Sequence, residues 1–301
     1  NFAMSGESVF ITGVAYQDSD RDNFYSIGEG QEGVVFTAEN AQGTTAQAGG
    51  YALEIVQQDA AIVAIDIGDQ RIATVQMDIS RGNGKLDVVT QTNGAMSLNL
   101  SVDGRLISGV GDATLLGVGD LDLRGNDSAN RLTGNAGDNY LSGQRGRDVL
   151  RGNDGEDVMD GGRGKDRLFG GNDDDRLIGG SSRDKLYGQS GDDILNGNNG
   201  RDVLKGGRGN DVLDGGRGND KLVGGSGADT FIFNKGDDRI TDFDDTLDQI
   251  EISAQLLGSS DLADLMVIQG DNVVINFDDG SSLTIDDYND TALLLESIII
   301  A

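Results

Sequence analysis

Apolar residues alternate with polar ones in a run of short stretches along the first third of the chain. They occur at SVFITGVAY from Ser8 to Tyr16, then at residues 33–37, 51–56, 61–67, 72–79 and 85–90. A period of two puts successive side chains on opposite faces of a strand, and the turn signals Ala48-Gly49-Gly50 and Gly82-Asn83-Gly84 separate the runs, so a small β-sandwich is expected over residues 8–92. The pattern then changes. From Gly125 to Ile232 it repeats every nine residues, twelve times, without insertion or deletion.

Each nonamer opens on glycine. Position eight is Leu132, Leu141, Leu150, Met159, Leu168, Leu177, Leu186, Leu195, Leu204, Leu213, Leu222 and Phe231. Position six is Asn130 and Asn139, then Asp148, Asp157, Asp166, Asp175, Asp184, Asp193, Asp202, Asp211, Asp220 and Asp229. A six-residue turn followed by a three-residue strand fits each unit, so two nonamers make one coil and twelve make six. Strands MSLNLSV and DLDLR fall within residues 93–124, which are expected to cover the open end of this stack, with 119–124 as the closing piece. After Phe233 the period is expected to lapse into a β-rich cap over residues 233–301, with a short helix at 261–266 and a hairpin, VVINF and SLTI, around Asp278-Asp279-Gly280.

Composition narrows the chemistry. Forty-eight glycines with no proline exclude collagen-like and Pro-rich disordered chains and assign the glycine to tight turns. Without cysteine or histidine there is no disulfide, no thiolate or imidazole zinc site, and no Ser-His-Asp or Cys-His catalysis. A net charge of −29, from 52 acidic and 23 basic side chains, repels nucleic acid and anionic lipid, and a hard divalent cation is the expected partner. No apolar run has the length of a membrane span.

The nonamer resembles G-G-x-G-x-D-x-U-x, the RTX or hemolysin-type calcium-binding repeat; GGRGNDVLD from Gly206 and GGRGNDKLV from Gly215 follow it throughout. The resemblance implies an all-β protein with a right-handed parallel β-roll over residues 125–232. It also implies Ca2+ held between turns n and n+2 by the ten aspartates from position 148 to position 229. Turn carbonyls complete each shell, here those of Gly143, Gly152, Gly161, Gly162, Gly164, Gly170, Gly171, Gly191, Gly200, Gly206, Gly207, Gly209, Gly215, Gly216, Gly218, Gly224, Gly225 and Gly227. Two stacks of six loops leave about ten sites. Sites touching Asn130 and Asn139, which lack the ligand charge, or Asp173 and Ser182, which replace glycine at position four, are expected to be weaker or absent.

A separate calcium loop is expected in the amino-terminal region. Asp18, Asp20, Asp22, Phe24, Ser26 and Glu29 hold the ligand spacing of an EF-hand loop, with Asn23 at the position that favours glycine. Flanking strands make it a structural site, and the region resembles the calcium-binding B-type repeat domains of bacterial surface adhesins. Odd nonamers sum to +7 and even ones to −11. A basic edge is expected from Arg145, Arg147, Arg151, Arg163, Lys165, Arg167, Arg183, Lys185, Arg201, Lys205, Arg217 and Lys221, open to an acidic glycan or to self-association, while the acidic edge is expected to hold calcium more tightly.

Two readings of function follow: a secreted module that folds outside the cell on binding calcium and serves secretion and scaffolding, or a calcium-dependent adhesin holding glycan, cells or other copies. The chain is expected not to be an enzyme, since neither G-x-S-x-G nor H-E-x-x-H occurs. The ending LLLESIIIA, from Leu293, resembles the carboxyl-terminal signals read by type I secretion machinery, which points to an extracellular or cell-surface location. Residues 1–7 are expected to be a linker or the tail of a missing upstream domain. Their sequence resembles the closing strand of CAP-superfamily domains, which leaves open the non-catalytic tail of a larger secreted protein.

Overall fold

The structure is a computed structural model that describes residues 8–18, 30–38, 41–45, 49–56, 60–67, 69–78, 80, 84–91, 96–258 and 260–301. It is all-β, 60% strand and 6% helix, with a parallel β-solenoid of about nine turns. The chain divides into two compact units, 1–141 and 142–301.

In the first unit Ser8–Asp18, Val34–Ala38, Gly50–Val56, Ala60–Ile67, Gln70–Asp78 and Gly84–Gln91 lie within a few residues of the places that alternation marks, and Ala41–Thr44 is one strand more. Val34, Phe36 and Ala38 of Val34–Ala38, and Ala73, Val75 and Met77 of Gln70–Asp78, point inward while their neighbours do not. Ser8–Asp18 pairs antiparallel with Gly50–Val56 and parallel with Gly84–Gln91, which pairs antiparallel with Met96–Leu100. A second group runs from Ala41–Thr44 through Val34–Ala38, Ala60–Ile67 and Gln70–Asp78 to Gly104–Gly109, antiparallel throughout. Phe36 of this group stacks on Tyr51 of the first, ring centroids 3.7 Å apart.

Parallel pairing starts upstream of the first nonamer. Met96–Leu100 pairs with Asp112–Leu115, which pairs with Arg131–Thr133, and Gly104–Gly109 pairs with Asp122–Arg124. These segments are coil strands in their own right, with Leu98, Leu100, Ala113, Leu115 and Leu123 buried. The first coil strands are met instead by the antiparallel neighbours Gly84–Gln91 and Gln70–Asp78.

In the second unit two parallel sheets repeat at an interval of eighteen residues. One carries Leu150, Leu168, Leu186, Leu204 and Leu222 in register, the other Met159, Leu177, Leu195, Leu213 and Phe231, none more than 1% exposed. Several strands run longer than the three residues expected, as in Val158–Gly164, because the Gly-Gly-x piece pairs on with the next coil at Gly162↔Gly180 and Arg163↔Ser181.

The period also outlives Phe233. Leu222 pairs with Ile240 and then Ile285, and Phe231 with Ile250 and then Ile298. The nonamer 233–241 keeps Gly236, Asp238 and Ile240 at positions four, six and eight and has lost only its leading glycines, which accounts for the added layer. Asn272–Asn276 and Ser282–Ile285 form the expected hairpin, extended by Met266–Gln269, and the short helix falls at Leu262–Leu265.

Candidate metal centre

Position six faces inward at the end of each turn because it precedes the strand whose position-eight residue enters the core. Its carboxylate is therefore buried: the ten aspartates and Asp238 are 0–2% exposed. Burial of an ionised group without a partner is costly, so each needs compensation.

Half of it is a ladder. The backbone N–H of each aspartate donates to Oδ1 of the aspartate eighteen residues on, over 2.7–2.9 Å. One column runs Asp148, Asp166, Asp184, Asp202, Asp220, Asp238; the other runs Asp157, Asp175, Asp193, Asp211, Asp229. The other oxygen, Oδ2, of Asp166, Asp175, Asp184, Asp193, Asp202, Asp211, Asp220, Asp229 and Asp238 accepts no hydrogen bond. Burial, partly offset by the hydrogen bond to Oδ1, pushes the carboxyl of Asp166, Asp211, Asp220 and Asp229 up to about 6, Asp193 and Asp202 to about 7, and Asp175, Asp184 and Asp238 to about 8.

The glycine at position one leaves room beside that oxygen. A Cβ on Gly161 would come 2.9 Å from Asp166 Oδ2 and 2.8 Å from the carbonyl oxygen of Gly179; on Gly197 it would come 2.7 Å from both Asp202 Oδ2 and the Gly215 oxygen. Carboxylate and next-coil carbonyl thus converge on one small space, and Gly143, Gly152, Gly170, Gly206, Gly215 and Gly224 likewise border the carboxylate of their own nonamer. Glycines at positions two and four face the carbonyl of the preceding coil instead, as Gly162 faces Gln144 and Gly227 faces Gly209, so carbonyl oxygens stack along both rims of the roll. Gly164, Gly171, Gly191, Gly200, Gly207, Gly209, Gly216, Gly218 and Gly225 lie in these same rims.

Among the described residues no three acidic side chains cluster at one point. An ion here would take most of its oxygens from the backbone, which suits Ca2+ with six to eight hard oxygen ligands. An unpartnered buried carboxylate oxygen, converging carbonyls and absent bulk fit a calcium ion.

The substituted turns differ among themselves. Asp173 and Ser182 keep the backbone path of a glycine at φ 72° and 92°, and their carbonyls still face Gly191 and Gly200. Asn130 and Asn139 change the chemistry. Asn139 Oδ1 accepts the N–H of Asn135 while its amide donates to Asn135 Oδ1, and the Asn135 amide reaches the carbonyls of Leu116 and Gly119. Asn130 Oδ1 likewise accepts the N–H of Asn126, and its own amide donates to Asn126 Oδ1 and to the Gly111 carbonyl.

Two further aspartates extend the columns. Asp238 joins the first column with the same bare Oδ2, and its signal was the surviving nonamer 233–241. Asp248 ends the second column with both oxygens occupied, Oδ1 by the Asp229 N–H and Oδ2 by the Asp244 N–H. Of the proposed amino-terminal loop, Asp18 ends the strand Ser8–Asp18, and Asp20, Asp22, Phe24, Ser26 and Glu29 lie outside the described residues.

The basic residues do not form a single edge. Arg145, Arg163 and Arg217 sit in the turn-side rows, Arg145 and Arg163 directly paired, whereas Arg151, Arg167, Lys185, Lys205 and Lys221 sit on strands of the sheet that follows. The cause is the nonamer itself, whose first five residues turn while positions seven and nine point outward from a sheet.

Compared with known proteins, residues 122–150, 133–168, 169–204 and 205–240 match the RTX calcium-binding nonapeptide repeat. The chain is similar to the extracellular lipase LipA from Serratia marcescens, with 17% identity over 64% of this chain and 40% of that one and a TM-score of 0.28. It is also similar to the AlgE6R3 subunit of the Azotobacter vinelandii mannuronan C5-epimerase, with 29% identity over 43% and 79% and a TM-score of 0.24. It thus spans less than half of the lipase. No curated protein matches it as a relative.

Proposed function

We propose that the RTX calcium-binding repeats at residues 122–240 form a module whose aspartate-bearing coils, from residue 143 on, are unfolded where calcium is scarce and fold into the roll outside the cell, serving there as a scaffold. The observation that carries this reading is the row of buried Asp Oδ2 atoms without a partner. With calcium absent, in-register carboxylates repel and each costs desolvation energy; with calcium present, the same carboxylates become ligands, and binding free energy becomes folding free energy.

The ligands in this reading are Oδ2 of the ten aspartates and of Asp238, with carbonyls of the glycine turns. Circular dichroism of the full chain tests it: β signal should rise with calcium and fall on addition of EGTA. A repeat region that keeps its full β signal in EGTA would sink it.

Export through type I secretion machinery belongs to the same reading. It is supported by the apolar carboxyl end, where Leu293, Leu295, Ile299 and Ile300 are 37–47% exposed and thus within reach of a receptor. No helix among the described residues is long and apolar enough to cross a membrane.

A further inference from the structure

On one sheet of the second unit, position nine forms an outward column Arg151, Phe169, Tyr187, Lys205, in register from strand to strand. At about 4.8 Å per strand step these four side chains cover about 14 Å. The rings of Phe169 and Tyr187 stack with centroids 5.0 Å apart and planes 6° off parallel. The guanidinium of Arg151 lies 4.9 Å from the Phe169 centroid and that of Arg167 5.3 Å. Beside them, position seven adds exposed Arg167 and Lys185.

Neither column holds an acid between residues 149 and 223, in a chain whose net charge is −29. The matching column of the other sheet, Asp160, Ile178, Asn196, Asp214 and Ile232, has two acids and no cation. The contrast lies in side chains that neither the core nor the turns require.

We propose that this face binds an anionic polysaccharide, with Arg151, Arg167, Lys185 and Lys205 pairing its carboxylate groups. The proposal rests on the calcium-folded roll, because only the in-register coils bring the column together. The stack fixes the Arg151 side chain over the Phe169 ring, so little side-chain freedom is lost on binding. Aromatic edges carry the positive end of the ring quadrupole and add to the attraction for anions.

The sugar hydroxyls have partners as well. A cleft of about 290 Å³ adjoins Arg151 and Phe169 and is lined by Asn153, Asp154, Asn172 and Gln189, a set of amides and one carboxylate suited to hydroxyl groups. Single-stranded nucleic acid suits the face less, because bases stack on open ring faces and those of Phe169 are covered by Arg151 and Tyr187.

The test uses the full chain in calcium, with its β signal recorded first, and titrates in hexagalacturonate and its methyl ester. Hexagalacturonate should bind, more weakly as salt rises, and the uncharged ester should not. Arg151→Gln with Lys205→Gln, both on outward positions, should weaken binding about tenfold or more while leaving the calcium-induced β signal unchanged. A folded chain that binds no hexagalacturonate, or that binds the ester equally well, overturns this proposal and leaves the folding reading standing. So does a variant that binds as the parent does. Tighter capture of phosphatidylserine vesicles or of a single-stranded oligonucleotide, lost in the same variant, overturns the ligand class. A parent chain without β signal in calcium sinks the folding reading and this one together.

Discussion

The turns at Asn130 and Asn139 and the turns from Asp148 onward occupy the same place in their nonamers and meet the same demand, a buried polar group at the end of a tight turn. An amide carries donors and acceptors on one side chain, so Asn130 with Asn126, and Asn139 with Asn135, close their hydrogen bonds within the protein. An ionised carboxylate has acceptors only. Asp166 and its successors spend one oxygen on the ladder and keep the other bare. The difference teaches that one atom per nonamer separates a turn closed within the protein from one that leaves a buried acceptor bare.

The largest effect should separate the two regions outright. In EGTA, amide hydrogen exchange across residues 143–240 should rise toward unfolded rates, while amides at 126–141 keep their protection; equal loss in both regions would remove the distinction.

Next in size are substitutions at the two kinds of turn. Asp193→Asn keeps the Oδ1 acceptor for the Asp175 N–H but removes the ligand charge, so the calcium needed for half-maximal folding should rise about tenfold, a change of about 1.4 kcal/mol. Asn139→Ala leaves the N–H of Asn135 and other buried groups unpaired and should cost about 1–3 kcal/mol by the same amount with or without calcium. Thermal melts at several calcium concentrations measure both.

Proton binding sharpens the comparison in the aspartate region alone. In the metal-free roll the aspartate carboxyls stand at about 6 to 8, above their usual 3.8. Raised values mean that the folded form holds protons more tightly, so any metal-free β structure is favoured in acid and lost as pH rises through about 6 to 8. Calcium needs the deprotonated form, so the concentration required should climb as pH falls from 8 to 6. Circular dichroism at pH 5 and pH 8 in EGTA, with calcium titrations at each pH, reads both directions.

The smallest effect concerns neither ligand. Ser182→Gly relieves a non-glycine residue at φ 92° and should raise the melting temperature in calcium by an amount worth about 1 kcal/mol. No change would mean that the turn holds Ser182 without strain.

Much of this was written in the residues. Leucine at position eight and aspartate at position six are requirements of a fixed register, and a one-residue slip would turn the core outward, so the pattern could not drift. The coil strands from Met96 onward were harder to read, since residues 116–124 keep Gly119 and Leu123 but put Leu121 where the ladder has its carboxylate. The same holds at the other end, where Asp238 survives in a nonamer stripped of its first two glycines, and Asp248 follows after one added residue. A search keyed to the leading glycine therefore stops one nonamer before the ladder does. The Phe169–Tyr187 column left no periodic signal because outward positions are free of the core's demands.

The ladder of N–H groups points one way. Each aspartate from Asp148 to Asp229 donates its N–H to a carboxylate of the coil that follows, and the two columns end at Asp238 and at Asp248, whose second oxygen is closed by the Asp244 N–H. Cutting coils away from the carboxyl side strands the N–H of an aspartate, and cutting from the amino side strands the N–H of a position-seven residue, which donates to the preceding coil as Arg167 does to the Asp148 carbonyl. Neither end of the roll can therefore be trimmed without orphaning a donor, and a coil added or removed between two others, where both partners are renewed, is the cheapest change of length.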